Sequence, residues 1–468
     1  MGPSIRIDQL VDEQRFGWFN LSLLVWSFLA MFADGYDIGA LSFALPKLQA
    51  LWNVSPKALG LLSSASLVGI LFGSPLFGLW GDRFGRRSAI IAGSVIYGVS
   101  SLAAAWSHGI YALGLLRFIT GLGLGGVMPN TIALNSELAP RRLRATLITL
   151  MFVGITFGSG TPGLVAHDLL PRYGWPVLFL IGGAVPLVVA VCLWLWLPES
   201  VKFLARQPSR SAELLRTARR MRPDLSLPAE ARFSTDVSES AAADDARQIF
   251  AGSLAWITPL LWLCFATALM SNYFLNSFLP LILDRSGMPP AKATLAATLY
   301  HWGGTAGGVL MSILLDRFGF LVVALLFALA VPAIAALGLV PASFAAIASL
   351  SSVAGLAVLG AQFGNNSAAG LLYPTAVRAK GVGWALGVGR FGAILGPSLG
   401  ALLLIPPMHR ERLFLFASAP MMLGGVAAVI VVWLCYRRLG GLQLGDIPRE
   451  PAPLGARASS LPELPAQE

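Results

Sequence analysis

Asp82-Arg83-Phe84-Gly85 returns as Asp316-Arg317-Phe318-Gly319, 234 residues further along the chain. The same spacing relates Pro140, Arg144 and Ala145 to Pro374, Arg378 and Ala379, and Phe157-Gly158 to Phe391-Gly392. One constant offset at three separated places marks two copies of a single unit. Around both copies the chain is a succession of apolar runs broken by short charged blocks. Of 468 residues, 56% are hydrophobic and 12% charged, against about 25% charged in an ordinary soluble domain. A helix of about 20 apolar residues crosses a bilayer. Twelve runs qualify: 17–43, 58–79, 88–106, 109–134, 145–168, 175–197, 252–283, 293–315, 320–339, 342–367, 380–405 and 412–436. Six spans per copy is an even number, so the copies share one orientation. The sequence therefore predicts an all-α membrane protein of twelve transmembrane helices in two six-helix halves, residues 1–197 and 251–438. A cytoplasmic linker, 198–250, joins them, and a disordered tail rich in Pro, Ala and Gly, 439–468, follows. Parallel six-span halves with a site between them at mid-membrane are a transporter architecture.

The net charge of +10 would suggest nucleic acid in a soluble protein. Its placement here sets topology instead, and no nucleic-acid partner is expected. If the amino terminus is cytoplasmic, the five loops on its side carry 18 Lys and Arg, counting Lys380 at a span's edge with its loop, and the two termini add six. The six opposite loops carry 7: Lys47, Lys57, Arg172, Arg285, Lys292, Arg410 and Arg412. Basic loops stay inside, so both termini are expected in the cytoplasm, with the chain in the plasma membrane (the inner membrane of a bacterium) and monomeric. Cys192, Cys264 and Cys435 all fall in apolar runs and imply no disulfide framework. No cleavable signal peptide is expected, because the first apolar run is too long and follows the mixed-charge segment Met1–Arg15. Gly81–Arg87 lacks the spacing and the Gly-Lys-Ser/Thr ending of a Walker loop, and no nucleophile elbow or paired Cys/His ligand set stands out. No enzyme activity, cofactor or metal is expected, and an ion gradient is the natural energy source.

The charges inside the spans carry the functional reading. Asp34 and Asp37, in Phe32-Ala33-Asp34-Gly35-Tyr36-Asp37, share one helix face in the first span. Each costs roughly 2.5–3.5 kcal/mol at the bilayer centre on insertion scales, so the pair needs either compensation as a buried ion pair or a task such as proton handling; Asp37 is slightly preferred as the proton carrier. Arg390 lies ~15 Å into span 11, where its guanidinium suits the two parallel hydrogen bonds of a substrate carboxylate or neutralises Asp34 or Asp37 across the cavity. Arg117, in span 4, gates proton release by pairing with a span 1 aspartate, touches substrate, or serves structure alone. His301 has the ordinary pKa of a proton shuttle, about 6.5, or is a packing residue among aromatics. Asn272, Asn276, Gln362, Asn365 and Asn366 are candidate cavity amides, or hydrogen-bond neighbouring helices. Tyr36, Tyr273, Trp302 and Phe391 are candidate ring-stacking partners.

Gly78-Leu79-Trp80-Gly81-Asp82-Arg83-Phe84-Gly85-Arg86-Arg87 resembles the signature loop of the major facilitator superfamily. Arg117-Phe118-Ile119-Thr120-Gly121-Leu122-Gly123 resembles its span 4 motif. Leu197-Pro198-Glu199-Ser200-Val201-Lys202-Phe203-Leu204 resembles the motif after span 6, with Val201 in place of the usual Pro. Asp34-Gly35-Tyr36-Asp37 resembles the pattern of the aromatic acid:proton symporters within that superfamily, as does the stretch from Tyr373-Pro374-Thr375-Ala376 through Gly389-Arg390. The resemblance spans the chain apart from linker and tail. It implies the major facilitator fold and proton-coupled import of a small aromatic carboxylate, such as a hydroxybenzoate, by alternating access. Gly78, Asp82, Arg83, Gly85, Arg86, Glu137 and Arg144, with Asp316 and Arg378 in the second copy, then read as a conformational switch. Topology alone would need only the basic members of that set. A porter of sugars or other metabolites, or a membrane sensor on the same scaffold, are the alternatives.

Overall fold

The computed structural model describes residues 4–225, 232–234, 249–250, 254–341, 343–373, 377–404 and 409–439. Its helices in chain order are α1 (Ile7–Asp12), α2 (Trp18–Trp52), α3 (Pro56–Phe84), α4 (Arg86–Ala104), α5 (Ile110–Leu138), α6 (Arg141–Tyr173), α7 (Pro176–Trp196), α8 (Val201–Ala205), α9 (Ser211–Met221), α10 (Leu254–Arg285), α11 (Pro290–Phe318), α12 (Leu321–Leu339), α13 (Phe344–Leu372), α14 (Arg378–Leu403) and α15 (Arg410–Leu439). Eleven of them are long and apolar enough to cross a bilayer. The twelfth, α11, has the same length as its counterpart α3, 29 residues. Helix α2 is longer than its apolar run: 35 residues reach ~52 Å at 1.5 Å per residue, so it projects beyond a hydrocarbon core of about 30 Å.

The repeat governs the packing. In the first half α2 packs on α6, α3 on α5, and α4 on α5 and α7; in the second, α10 packs on α14, α11 on α13, and α12 on α13 and α15. The halves meet through α6 against α11 and α14 against α3, which exchange under the same correspondence, and through α2 against α10. The repeated Asp-Arg-Phe-Gly is the end of a helix in both copies. Helices α3 and α11 stop at Phe84 and Phe318, and Gly85 (φ 102°) and Gly319 (φ 58°) turn the chain through conformations that side-chain-bearing residues avoid. Gly35 has a different duty: a methyl group there would collide with the Ile155 carbonyl of α6. Its absence lets α2 and α6 close together while Asp34 stays at the edge of the contact.

Hydrogen bonds fix the halves together on the side of the bundle away from the chain termini. Ser64 donates to the Ile394 carbonyl (3.1 Å) and lies 2.9 Å from Ser398. Thr298 donates to the Gly160 carbonyl at 3.2 Å, and Arg285 donates to Gln49 at 2.7 Å.

The start of the linker is folded. Helices α8 and α9 lie beside α1, whose Ile7 and Val11 are buried in one cluster with Leu204, Leu214 and Met221 and whose Leu10 is buried with Ala218. A parallel pairing of Ser4–Arg6 with Arg232–Ser234 joins the amino-terminal segment to the linker. Lys202–Asp8 (3.1 Å) and Arg222–Glu13 (3.3 Å) add ion pairs. The Ala/Ser/Asp-rich part of the linker and the expected disordered tail lie outside the described residues.

Candidate functional site

A cavity of about 140 Å³ lies between the halves. It is close to the roughly 150 Å³ of an engineered apolar protein cavity that admits benzene. Its lining follows the repeat. Ile38 and Asn272, Leu67 and His301, Met128 and Gln362, and Thr156 and Arg390 are each 234 residues apart, and all eight line it. In these pairs the first half contributes the less polar member. The cavity therefore has a mainly apolar wall, to which Phe152 and Leu124 also belong, facing a wall of amides, imidazole and guanidinium. Asp34 is the carboxylate set into the apolar side.

Asp34 is 4% exposed and has no hydrogen bond or ion pair with any described residue. Arg390, which enters from α14, likewise has neither among the described residues. Asn272 is held in place: the Tyr300 hydroxyl donates to its Oδ1 at 3.0 Å, and its amide donates to Gln362 Oε1 at 3.3 Å. That use of Oε1 leaves the Gln362 amide N–H groups available to a ligand. Thr305 donates to the Thr156 hydroxyl at 2.9 Å, tying α11 to α6 beside the cavity. His301, Asn276 and Tyr273 complete the polar wall.

Asp37 sits one turn further along α2 in a different setting. Arg117 donates to both its carboxylate oxygens, at 2.8 and 3.0 Å, and Ser101 donates to Oδ1 at 2.7 Å. Both members of the ion pair are 1% exposed. Arg117 also donates to Ser101 (3.2 Å) and Thr120 (3.1 Å) and lies 5.0 Å from the centre of the Phe179 ring. Arg117 is thus the in-half partner of a span 1 aspartate and does not line the substrate-sized cavity, as its reading as a substrate contact requires. Four other expected contacts also lie outside it. Tyr36 is buried against Gly182. Trp302 stacks on Phe157 at 5.7 Å. Asn365 is fully buried, and its neighbour Asn366 lines the cavity in its place. Phe391 faces outward and is exposed, whereas Tyr273 is at the cavity wall. Thr156, Met128 and Phe152 were not singled out in the sequence, although the repeat pairs the first two with Arg390 and Gln362.

The charged layer near the termini forms a second cluster. Arg86 pairs with Asp82 (2.5 Å) and Glu137 (3.6 Å) and donates to Asn130 (3.4 Å). The Ser200 hydroxyl donates to Glu137. Glu199 accepts from the backbone N–H groups of Arg87 (3.2 Å) and Ser200 (2.9 Å), at the amino-terminal end of α4. Burial pushes the Glu199 carboxyl up from its ordinary range, against those two hydrogen bonds. Gly85 adjoins Glu199 so closely that a side chain there would strike the carboxylate. Arg83 lies over the Phe84 ring, Gly78 is in open space, and Arg144 is half-buried in the first turn of α6. The side chains of Asp316 and Arg378 lie outside the described residues.

The comparisons with known proteins agree with this architecture. The Major Facilitator Superfamily profile matches residues 27–288 and 261–460. The 4-hydroxybenzoate transporter PcaK of Pseudomonas putida is 34% identical over 432 residues, 92% of this chain and 96% of its own length. The gallate transporter of the same species is 32% identical, covering 89% and 92%. The benzoate transport protein of Acinetobacter baylyi is 31% identical, covering 92% and 93%. Among solved structures, the inward-open xylose transporter XylE from E. coli superposes with a TM-score of 0.68 at 18% identity, over 92% of this chain and 99% of that one. The chain belongs to the major facilitator superfamily, and is a multi-pass membrane transporter rather than an enzyme.

Proposed function

We propose that the protein is a proton-coupled symporter that imports a small, hydroxybenzoate-like aromatic carboxylate across the bacterial inner membrane, as a monomer with both termini in the cytoplasm. The observation that carries this reading is a ring-sized cavity flanked by a carboxylate and a guanidinium from opposite halves, neither with an ion-pair partner among the described residues. An aromatic acid meets each part: its ring packs on Met128, Phe152 and Leu124, and its carboxylate takes the planar fork of Arg390. The relatives named for 4-hydroxybenzoate, gallate and benzoate support that cargo. A sugar offers the Arg390 guanidinium no countercharge.

Asp34 is the proposed proton carrier of the cavity, with His301 and the cavity amides around the bound acid. Protonating Asp34 removes a charge from the first half, and binding the acid neutralises Arg390 in the second. Both events lower the cost of drawing the halves together. With the termini cytoplasmic, the hydrogen-bonded seam from Ser64 to Arg285 is the periplasmic closure, and the cluster around Asp82, Arg86, Glu137 and Arg144 is the switch that engages when the cytoplasmic side closes.

The test is uptake of labelled 4-hydroxybenzoate into proteoliposomes under an imposed pH gradient, inside alkaline. The expected result is accumulation above the external concentration, collapsed by a protonophore and competed by benzoates but not by hexoses. Accumulation that ignores the protonophore contradicts the coupling, and competition by hexoses contradicts the cargo.

A further inference from the structure

A second, smaller cavity of about 20 Å³ lies beside the first, further from the chain termini. Asp37, Arg117 and Ser63 line it, and Tyr273 and Asn276 belong to the walls of both cavities. Besides Arg117 Nε, two polar atoms of this lining are buried without a hydrogen-bond partner among the described residues: Ser63 Oγ and Asn276 Oδ1. Their residues are 6% and 7% exposed. Buried polar atoms in native proteins are nearly always satisfied, by protein or by ordered water. One water needs roughly 10–15 Å³ and two to four polar partners. The small cavity offers that volume, the two unpartnered atoms and the Asp37 carboxylate.

From this we infer that the small cavity is a one-water site, held by Ser63, Asn276 and Asp37, that relays the proton from the Asp37–Arg117 pair to the substrate cavity. The inference rests on the proton-coupled reading above. A proton arriving from the periplasmic side binds Asp37. The Asp37 O–H bond then breaks as the water oxygen takes that proton. The water releases one of its own towards the Tyr273 hydroxyl, which accepts it and passes its own proton into the cavity, where an O–H bond forms on Asp34. The water and the tyrosine are regenerated, Asp37 returns to its carboxylate with Arg117, and one proton has moved. Ser63 and Asn276 are positioning residues: they hold the oxygen in line and exchange no proton with the substrate.

The test uses the reconstituted full-length protein with two readouts, pH-gradient-driven accumulation of 4-hydroxybenzoate and its counterflow without a gradient. Ser63 lines only the small cavity, so the variants are made there. Ser63→Val fills the space and offers no hydroxyl; gradient-driven uptake should fall about tenfold or more while counterflow stays within about twofold of wild type. Ser63→Ala keeps the space and loses one of three partners, so the coupled rate should fall only about threefold, again with counterflow intact. Wild-type coupled uptake in Ser63→Val, or equal loss of both readouts in both variants, overturns the relay. If Ser63→Val does not fold, an unchanged coupled rate in Ser63→Ala overturns it alone. Asp34→Asn separates the two claims. If it remains fully coupled, the proton-coupling reading fails; if it is uncoupled while Ser63→Val is not, only the water site fails.

Discussion

Asp34 and Asp37 occupy one face of one helix, three residues apart, yet have opposite surroundings. Asp37 faces α4 and α5 of its own half and is closed by the Arg117 fork and Ser101. Asp34 faces the seam between halves, where the cation across the cavity, Arg390, belongs to α14. On the proposed alternating-access reading, an ion pair within one half keeps its geometry through the cycle, whereas charges divided between halves change their separation. The same residue type thus has its cation within its own half in one place and across the cavity in the other, and its helical direction decides which.

The largest expected effect breaks the comparison on its structural side. Removing one partner of a buried pair costs about 3–5 kcal/mol, so Arg117→Ala should sharply lower the yield and melting temperature of the purified protein. Arg390→Ala, which abandons no ion pair among the described residues, should be destabilised by no more than about 1 kcal/mol by the same reasoning. Equal destabilisation by both would make Arg390 a structural counter-charge.

Binding gives the next contrast. Hydrogen bonds to charged groups contribute about 1.5–3 kcal/mol each, so Arg390→Ala should weaken 4-hydroxybenzoate binding about 100-fold. Arg390→Lys keeps the charge but loses the fork and should weaken it about tenfold. Neither should improve binding of 4-hydroxybenzamide, as isothermal titration can check. Wild-type affinity in Arg390→Ala would place the anion elsewhere.

Much of this contrast was legible in the chain. Polar residues inside apolar runs pointed to Asp34, Arg390, His301, Asn272, Asn276 and Gln362, and all six line the cavity. Sequence does not give helical direction, however. Asn365 and Asn366 are adjacent amides, and only packing turns the second towards the cavity. Tyr36 and Trp302 carry the same aromatic signal as Tyr273 but point into helix contacts. Sequence also leaves Asp34 and Asp37 nearly equivalent as proton carriers, with Asp37 slightly preferred, because the direction of Arg117 towards Asp37 is a tertiary fact. The twelve helices were readable because hydrophobic length is a local property. The fold of the early linker was less visible: α9 buries Leu214, Ala218 and Met221, a helical stripe masked by the basic residues around it.

Two smaller effects sharpen the picture. Ser101→Ala removes one donor from Asp37 while the Arg117 fork remains, so a loss of about 1 kcal/mol is expected in thermal unfolding; a loss as large as that of Arg117→Ala would mean the serine dominates. Glu199 has a carboxyl pushed up by burial. A raised folded value favours the fold below the unfolded value, about 4.3, and that contribution is lost as pH rises through the folded value. The melting temperature of Glu199→Gln should therefore decline less than that of wild type as the pH is raised across that window. Parallel melting curves would show that the buried carboxyl is not linked to folding.

The most direct measurement of the account is the response of Asp34→Asn in proteoliposomes, comparing gradient-driven accumulation of 4-hydroxybenzoate with counterflow in the same preparation. Counterflow should persist while accumulation above the external concentration disappears, because the cavity carboxylate between the halves is gone and the Asp37–Arg117 pair is intact. Accumulation at the wild-type level in Asp34→Asn would contradict it.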